Sequence, residues 1–325
     1  MTDETILITG SMGCIGSWVM RHLLDEGAKF VASDLSRNTA RPALLMSDEE
    51  LAAINWQTLD VMDTAAVSRM VESFGITHII HLAGLQVPFC RADPPLGAAV
   101  NVLGTVNIFE AARHNAIGGL AYASSLAALG PPEIYPETPV RDNVRRVPST
   151  LYGVYKTANE ETARLYWQDW QVGSIGLRPY QVYGVGRDQG VTADLAKAIL
   201  ATAANRAFHI RYDGPVALQH ASDVARMFID CARAGHQGAA ACNLRNDVIE
   251  VADFVGLLRE TYPQTRVTFE AGKSLPFVAD LDDGGLRSIL GAVPHIPLAE
   301  AMRKDHDMFR ALLDAGKIDL GQLDR

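Results

Sequence analysis

The stretch Ile6-Leu7-Ile8-Thr9-Gly10-Ser11-Met12-Gly13-Cys14-Ile15-Gly16 decides how the rest of the chain is read. A short β-branched run enters a turn with glycines at positions 10, 13 and 16, and an amphipathic helix predicted from Ile15 to about Glu26 leaves it. Backbone amides at such a helix start face outward and the helix dipole favours negative charge, which makes the turn a site for a diphosphate. Gly10 suits the tight turn, Gly13 the approach of an anion to the backbone, and Gly16 the close packing of helix on strand. The spacing departs from Gly-x-Gly-x-x-Gly, and an ordinary strand-to-helix turn carries the same triplet, so the residues beyond the helix discriminate between the two.

Beyond that helix lies a second buried strand, Phe30-Val31-Ala32-Ser33, with Asp34 at its end, at the distance from a glycine turn where a dinucleotide fold places its ribose-binding acid. A carboxylate there accepts hydrogen bonds from two ribose hydroxyls and repels a 2′-phosphate, so NAD is expected over NADP, with Arg37 nearby acting in the opposite direction. Trp56 to Leu59 reads as a third strand, and Asp63-Thr64 as the cap of a helix through Val67, Met70 and Val71. Thr77 to Gly84 reads as a fourth strand ending in small residues. Pro94-Pro95 opens a long helix carrying Ala99, Val102, Val106, Phe109 and Ala112 at helical spacing, and Leu120 to Ala123 is a fifth strand. Unbroken strand and helix alternation predicts an α/β doubly wound parallel sheet, whose ligands bind beyond the carboxyl ends of its strands. After a Pro-rich loop a helix runs from near Thr150 past Trp167, and Val172 to Leu177 is a sixth strand. Beyond Arg178-Pro179 the elements shorten, so residues 1–178 are expected to hold the dinucleotide and 179–325 mainly the substrate. A strand at Ala241-Cys242-Asn243-Leu244, within a segment near 218–245, is expected to return to the main sheet.

Composition narrows the function classes. The chain has 325 residues, 48% hydrophobic and 21% charged, which suits an enzyme-sized protein with a substantial core. A net charge of −9 offers no basic face for nucleic acid or an anionic membrane. No apolar run approaches membrane-spanning length, and the acidic start Met1-Thr2-Asp3-Glu4-Thr5 is unlike a secretory signal. Cys14, Cys90, Cys231 and Cys242 are too scattered for a zinc site or a disulfide framework, so they are expected as buried small hydrophobes in a reducing cytoplasm, with no metal.

Of the nine tyrosines only Tyr152 has a lysine four residues on, Lys156, and that spacing stacks both on one helix face. A nearby ammonium stabilises the phenolate and is expected to lower the tyrosine pKa from ~10 toward neutrality, where proton transfer is efficient. Ser125, delivered with Ser124 by the fifth strand, can hydrogen-bond the same substrate oxygen. The three would hold a secondary alcohol while its carbon-bound hydrogen leaves as hydride to a nicotinamide.

Gly10-x-x-Gly13-x-x-Gly16, Asp34, Asp60-Val61, His81-Leu82-Ala83-Gly84, Asn101-Val102-x-Gly104-Thr105, Ala123-Ser124-Ser125, Tyr152-Gly153-x-x-Lys156 and Leu177-Arg178-Pro179 stand together in one chain. In these residues it resembles an extended short-chain dehydrogenase/reductase of the NAD-dependent epimerase/dehydratase group over most of its length. The resemblance implies a Rossmann fold with a smaller C-terminal substrate domain. It makes Tyr152 the acid/base, Lys156 the anchor of the nicotinamide ribose and Ser125 the second hydroxyl. Asp60 and Val61 would meet adenine, and Leu82, Ala83 and Gly84 would line the cofactor. Met12, Cys14 and Ile15 in the turn, with Asn101, Ala123 and Tyr180, complete the expected NAD contacts. It also implies a homodimer formed through the helices Pro95–His114 and Tyr152–Trp170.

The departures bear on substrate. Nucleotide-sugar enzymes of the group usually have Arg-x-x-Asn where this chain has Arg178-Pro179-Tyr180-Gln181. They carry an arginine soon after the turn that here reads Tyr212-Asp213-Gly214-Pro215-Val216-Ala217-Leu218-Gln219-His220, and a second one where Lys273 to Asp280 has only a lysine. Arginine is the side chain that grips phosphate with a planar fork, so the substrate is expected to be a small sugar, polyol or hydroxy acid. Gln86, Ser124, Gln181 and Arg187, with Tyr180 and His220, are the candidate pocket residues, and Arg187, Arg211 and Lys273 the spare cations. The leading expectation is an NAD-dependent dehydrogenase of a secondary hydroxyl. The alternatives are a sugar or nucleotide-sugar epimerase or dehydratase that keeps its NAD, and a non-catalytic NAD-sensing protein.

Overall fold

The computed structural model describes residues 4–324, so the acidic start is seen only from Glu4 onward. The first half runs β1 (Ile6–Thr9), α1 (Cys14–Asp25), β2 (Phe30–Asp34), α2 (Asp48–Ala53), β3 (Asn55–Thr58), α3 (Thr64–Ser73) and β4 (His78–His81). Next come α4 (Val87–Ala92), α5 (Pro94–Ala98), a π-helical segment (Ala99–Leu103), α6 (Gly104–His114), β5 (Gly119–Ala123), α7 (Leu151–Trp170) and β6 (Ser174–Arg178). The second half holds β7 (Gln181–Tyr183), α8 (Asp194–Ala203), β8 (Ala207–Ile210), β9 (Pro215–His220), α9 (Ala221–Arg233) and β10 (Ala239–Asn243). It closes with β11 (Asp247–Glu250), α10 (Val251–Thr261), β12 (Arg266–Phe269), α11 (Gly284–Leu290) and α12 (Leu298–Asp314).

Among the described residues, seven strands form one parallel sheet in the order β10-β6-β5-β4-β1-β2-β3. The order reverses at β1, so the connections after β1 and β4 leave in opposite directions and open a crevice at their carboxyl ends. Side-chain alternation splits the core between the two faces. Ile6, Ile8, Ala32, Ile80 and Ala121 pack with Trp18, Val19, Leu23, Val224 and Phe228 of α1 and α9. Leu7, Val31, Ile79, Leu120 and Tyr122 pack with Val67, Met70, Ile108, Phe109 and Tyr166 of α3, α6 and α7. Both faces are covered, which is why these strands read as continuous apolar runs and not as alternating ones.

Helix starts are fixed locally. Asp63 accepts the amide of Ala66 at 2.9 Å ahead of α3, and Thr150 accepts that of Gly153 at 3.0 Å ahead of α7. The expected long helix from Pro94 is present but passes through the π-helical segment before α6. The returning strand is β10, paired with β6 from Ala239 opposite Ser174 to Asn243 opposite Arg178. Smaller sheets, β11-β9-β7 and β12-β8, make up the rest of the second half. The α1/α9 core continues without a break into it through Leu195, Ile199, Phe254 and Met302. Of the four cysteines, Cys90, Cys231 and Cys242 are buried and Cys14 is only half-buried, because it faces the crevice.

Candidate active site

The crevice is a cleft of about 1140 Å³ along the carboxyl ends of the strands. At one end lies the glycine turn. Gly10 has φ +71°, and a Cβ on it would stand 2.6 Å from the Ala83 amide nitrogen at the end of β4. A Cβ on Gly16 would stand 2.5 Å from the Gly10 carbonyl oxygen, so α1 is held against the turn. Gly13 caps α1 with no side-chain hydrogen bond, and the first-turn amides are left for an anion. Asp34 accepts the Met12 amide at 3.0 Å through Oδ2 and the Leu35 amide at 2.8 Å through Oδ1, which pins the carboxylate beside the turn. Arg37 is stacked 5.6 Å over the Trp56 ring and lies outside the cleft lining, so it does not counter Asp34.

At the other end, α7 presses onto the segment after β5. A Cβ on Gly153 would sit 2.1 Å from the Ala127 carbonyl oxygen, so only glycine lets Tyr152 approach Ser125. Ser125 accepts the Ala127 amide at 3.1 Å, and its hydroxyl lies close enough to the Tyr152 phenol to favour the phenolate. Lys156, one turn on, is buried; its Nζ donates to the Ala123 carbonyl at 2.6 Å and stands 5.5 Å from the Tyr152 ring centre. Burial pushes the Lys156 ammonium down to about 8. Burial also pushes the Tyr152 phenol up, and the Ser125 hydroxyl and the Arg187 charge act against it. The expected depression of the tyrosine pKa by Lys156 is therefore not what this arrangement produces, because the ammonium is turned to a backbone carbonyl and desolvation dominates. His81 below them is held neutral, pushed down to about 3 by burial and then by the Lys156 charge, and it bridges Thr9 at 2.7 Å and Thr105 at 3.2 Å.

Gly10, Met12, Gly13, Cys14, Ile15, Gly16, Asp34, Asp60, Val61, Leu82, Ala83, Gly84, Ala123 and Tyr180 line this one cleft with Ser125, Tyr152 and Lys156, as do Gln86 and Arg187. Three expected residues lie elsewhere. Asn101 is buried with its amide engaged by Leu85 and Cys90. Gln181 is buried and accepts the Tyr212 hydroxyl at 3.0 Å, since alternation along β7 points it away from Tyr180. His220 is packed against Trp18 and Tyr183 and pairs with Asp305 at 3.2 Å in the interior. Ser124 reaches the wall, but its hydroxyl donates to Glu160 at 2.5 Å, and the Glu160 carboxylate is gripped by Arg178 at 2.7 and 2.8 Å. Of the spare cations, Arg211 is paired with Asp194 at 2.6 Å and Lys273 lies outside the lining.

Several lining residues carry no signal in the chain's own order. Arg41 and Asp188, 147 positions apart, form an ion pair at 2.8 Å at the cleft. Leu275 and Phe277 line it from the stretch that has only a lysine in place of a phosphate-gripping arginine. Glu160 could have been found, since it repeats the four-residue step from Tyr152 to Lys156 on the same face of α7.

The NAD-dependent epimerase/dehydratase family model matches residues 6–244, which covers the glycine turn, Asp34, Ser125, Tyr152 and Lys156. The chain belongs to this family. It is thus an enzyme, and its cofactor is NAD. The glycine cradle, the pinned Asp34 and the exposed first-turn amides fit that group. Among the members, a UDP-glucose 4-epimerase of Mycolicibacterium smegmatis is 29% identical over 94% of this chain and 98% of its own length. Two solved structures share the fold: the Thermotoga maritima UDP-glucose 4-epimerase (TM-score 0.80, 21% identity, 95% and 99% coverage) and the Clostridium difficile L-threonine dehydrogenase (0.81, 20%, 97% and 99%). An epimerase and a dehydrogenase thus share this fold.

Proposed function

We propose that this enzyme oxidises a secondary hydroxyl of a small sugar, polyol or hydroxy acid, with Tyr152 as the proton acceptor. The observation that carries this reading is the convergence of Ser125, Tyr152 and the buried Lys156 on one wall of the cleft, where the Ser125 hydroxyl acts directly on the Tyr152 phenol. A substrate oxygen placed between the two hydroxyls is held by Ser125 while Tyr152 takes its proton. NAD, when bound, supplies the hydride acceptor. Lys156 contributes positive charge beside the developing phenolate and a donor for the nicotinamide ribose. Leu275, Phe277 and Tyr180 give the substrate end an apolar wall that excludes water, and the stretches 212–220 and 273–280 hold no arginine to grip a diphosphate. Residues 179–325 supply most of that wall.

A second reading, an epimerase that keeps its NAD and returns the hydride, is favoured by the full-length likeness to the Mycolicibacterium protein. A screen of free sugars, polyols and hydroxy acids for NAD reduction at alkaline pH separates the two. Substrate-dependent free NADH is expected; complete turnover with no net NADH, or thermal protection by a uridine diphosphate, would favour the epimerase.

The same reading makes the protein a homodimer of a reducing cytoplasm. Leu96 and Leu103 on the α5 to α6 segment and Val154 and Leu165 on α7 are large apolar side chains left exposed, and a second copy would cover them.

A further inference from the structure

We propose that Arg187 is the anion-recognising residue at the substrate end of the cleft, so that the substrate of the oxidation proposed above, on which this rests, is a hydroxy acid. Its carboxylate would lie on the Arg187 guanidinium while its hydroxyl lies between Ser125 and Tyr152.

Arg187 sits in the loop after β7, which two neighbouring contacts tether. The Trp18 indole donates to the Val185 carbonyl at 3.0 Å, which pins the loop to α1. Asp188, the carboxylate next in sequence, is turned to Arg41, which donates to its Oδ1 from Nε at 3.2 Å and from Nη2 at 2.8 Å. Arg187 itself donates from Nη2 to the Thr192 hydroxyl at 2.8 Å, and its Nε–H is buried with no partner among the described residues. A buried guanidinium N–H without an acceptor is unfavourable until an acceptor arrives, and the charged fork is best satisfied by a carboxylate or a phosphate.

Of the other cations that line this cleft, Arg41 is matched with Asp188 and Lys156 with the Ala123 carbonyl, while Arg91 on α4 is exposed to solvent. The Arg187 charge also bears on both the Tyr152 phenol and the Cys14 thiol, so it acts between the reacting hydroxyl and the glycine turn. Two anions could lie in that range, a substrate carboxylate and the cofactor diphosphate. The turn's own amides and the α1 dipole already serve the diphosphate. Leu275 and Phe277 on the cleft wall suit a short carbon skeleton and present no competing carboxylate.

The test uses NAD-loaded protein titrated calorimetrically with malonate, a carboxylate with no hydroxyl to oxidise, and with neutral malonamide at constant ionic strength. Malonate is expected to bind and malonamide not. Arg187→Gln should weaken malonate about ten- to a hundredfold with unchanged NAD affinity, and Arg187→Lys should lose less because it keeps the charge. Failure of the wild type to bind malonate, or equal binding by Arg187→Gln, would remove Arg187 from substrate recognition. Loss of NAD affinity as the main effect of Arg187→Gln would assign the arginine to the cofactor diphosphate instead. Wild-type enzyme that reduces NAD with polyols and hydroxy amides as readily as with hydroxy acids would overturn the acid specificity and leave the oxidation standing. Arg187-dependent malonate binding with no NAD reduction by any alcohol would do the reverse.

Discussion

Lys156 on α7 donates its ammonium to the carbonyl oxygen of Ala123, the last residue of β5, at 2.6 Å. One bond thereby ties the helix that carries Tyr152 to the strand that delivers Ser125, and it does so with a charge held out of water. The arrangement is expensive in stability and useful in function, as buried ionisable groups at reactive sites commonly are.

The linkage can be measured. In the folded protein Lys156 titrates at about 8, against 10.5 for an ordinary lysine. The unfolded chain therefore binds the extra proton between these values, so stability rises with pH through that window and is flat with respect to this group below it. Lys156→Met removes the effect. Relative to this variant the wild type should gain up to about 3 kcal/mol between pH 8 and 10.5, read from denaturant melts at both ends. No difference in pH dependence between the two proteins would show that the ammonium is not desolvated.

Tyr152→Phe should fold and bind NAD yet lose ~10²–10⁴-fold in turnover, since it deletes one oxygen and no packing. Tyr155 is the control: it lies three positions further along α7, and its hydroxyl donates to the Pro94 carbonyl at 3.0 Å, away from Ser125. Steady-state rates of both variants decide the matter. Equal damage from Tyr155→Phe would withdraw Tyr152 as the acid/base.

Asp34→Asn should keep the hydrogen bond from the Met12 amide but lose the charge that repels a 2′-phosphate. The preference for NAD over NADP is expected to narrow by about tenfold or more, measured by titration with each nucleotide. An unchanged ratio would mean that the shape of the pocket, and not the carboxylate, selects the nucleotide.

Leu103→Glu combined with Val154→Glu places charges on two exposed apolar positions, 45% and 46% accessible. Sedimentation should show a dimer for the wild type and a monomer for the double variant, with the melting temperature of the monomer lowered. A wild-type monomer would leave the apolar face without the proposed partner.

The sequence by itself determined the doubly wound sheet, because β-branched runs and amphipathic helices alternate without a break from Ile6 to Leu177 and each element is set by its own local periodicity. It also determined the glycine turn, Asp34 at the end of β2 and the pairing of Tyr152 with Lys156, since each rests on spacing within one element or across one strand-helix unit. Tertiary structure alone decided which side chains reach the cleft from β7 onward. Gln181 and His220 are polar and well placed in the chain, yet strand alternation and the approach of α12 turn them inward, where Gln181 Oε1 accepts from Tyr212 and His220 Nε2 pairs with Asp305. The same holds for charge. Arg41, Arg187 and Arg211 are equivalent as letters, but Arg41 meets Asp188 across 147 positions and Arg211 meets Asp194, while Arg187 lines the same cleft as the reacting hydroxyls with no carboxylate partner among the described residues. Pairing between distant loops depends on where the sheet brings them, and no local pattern encodes that distance.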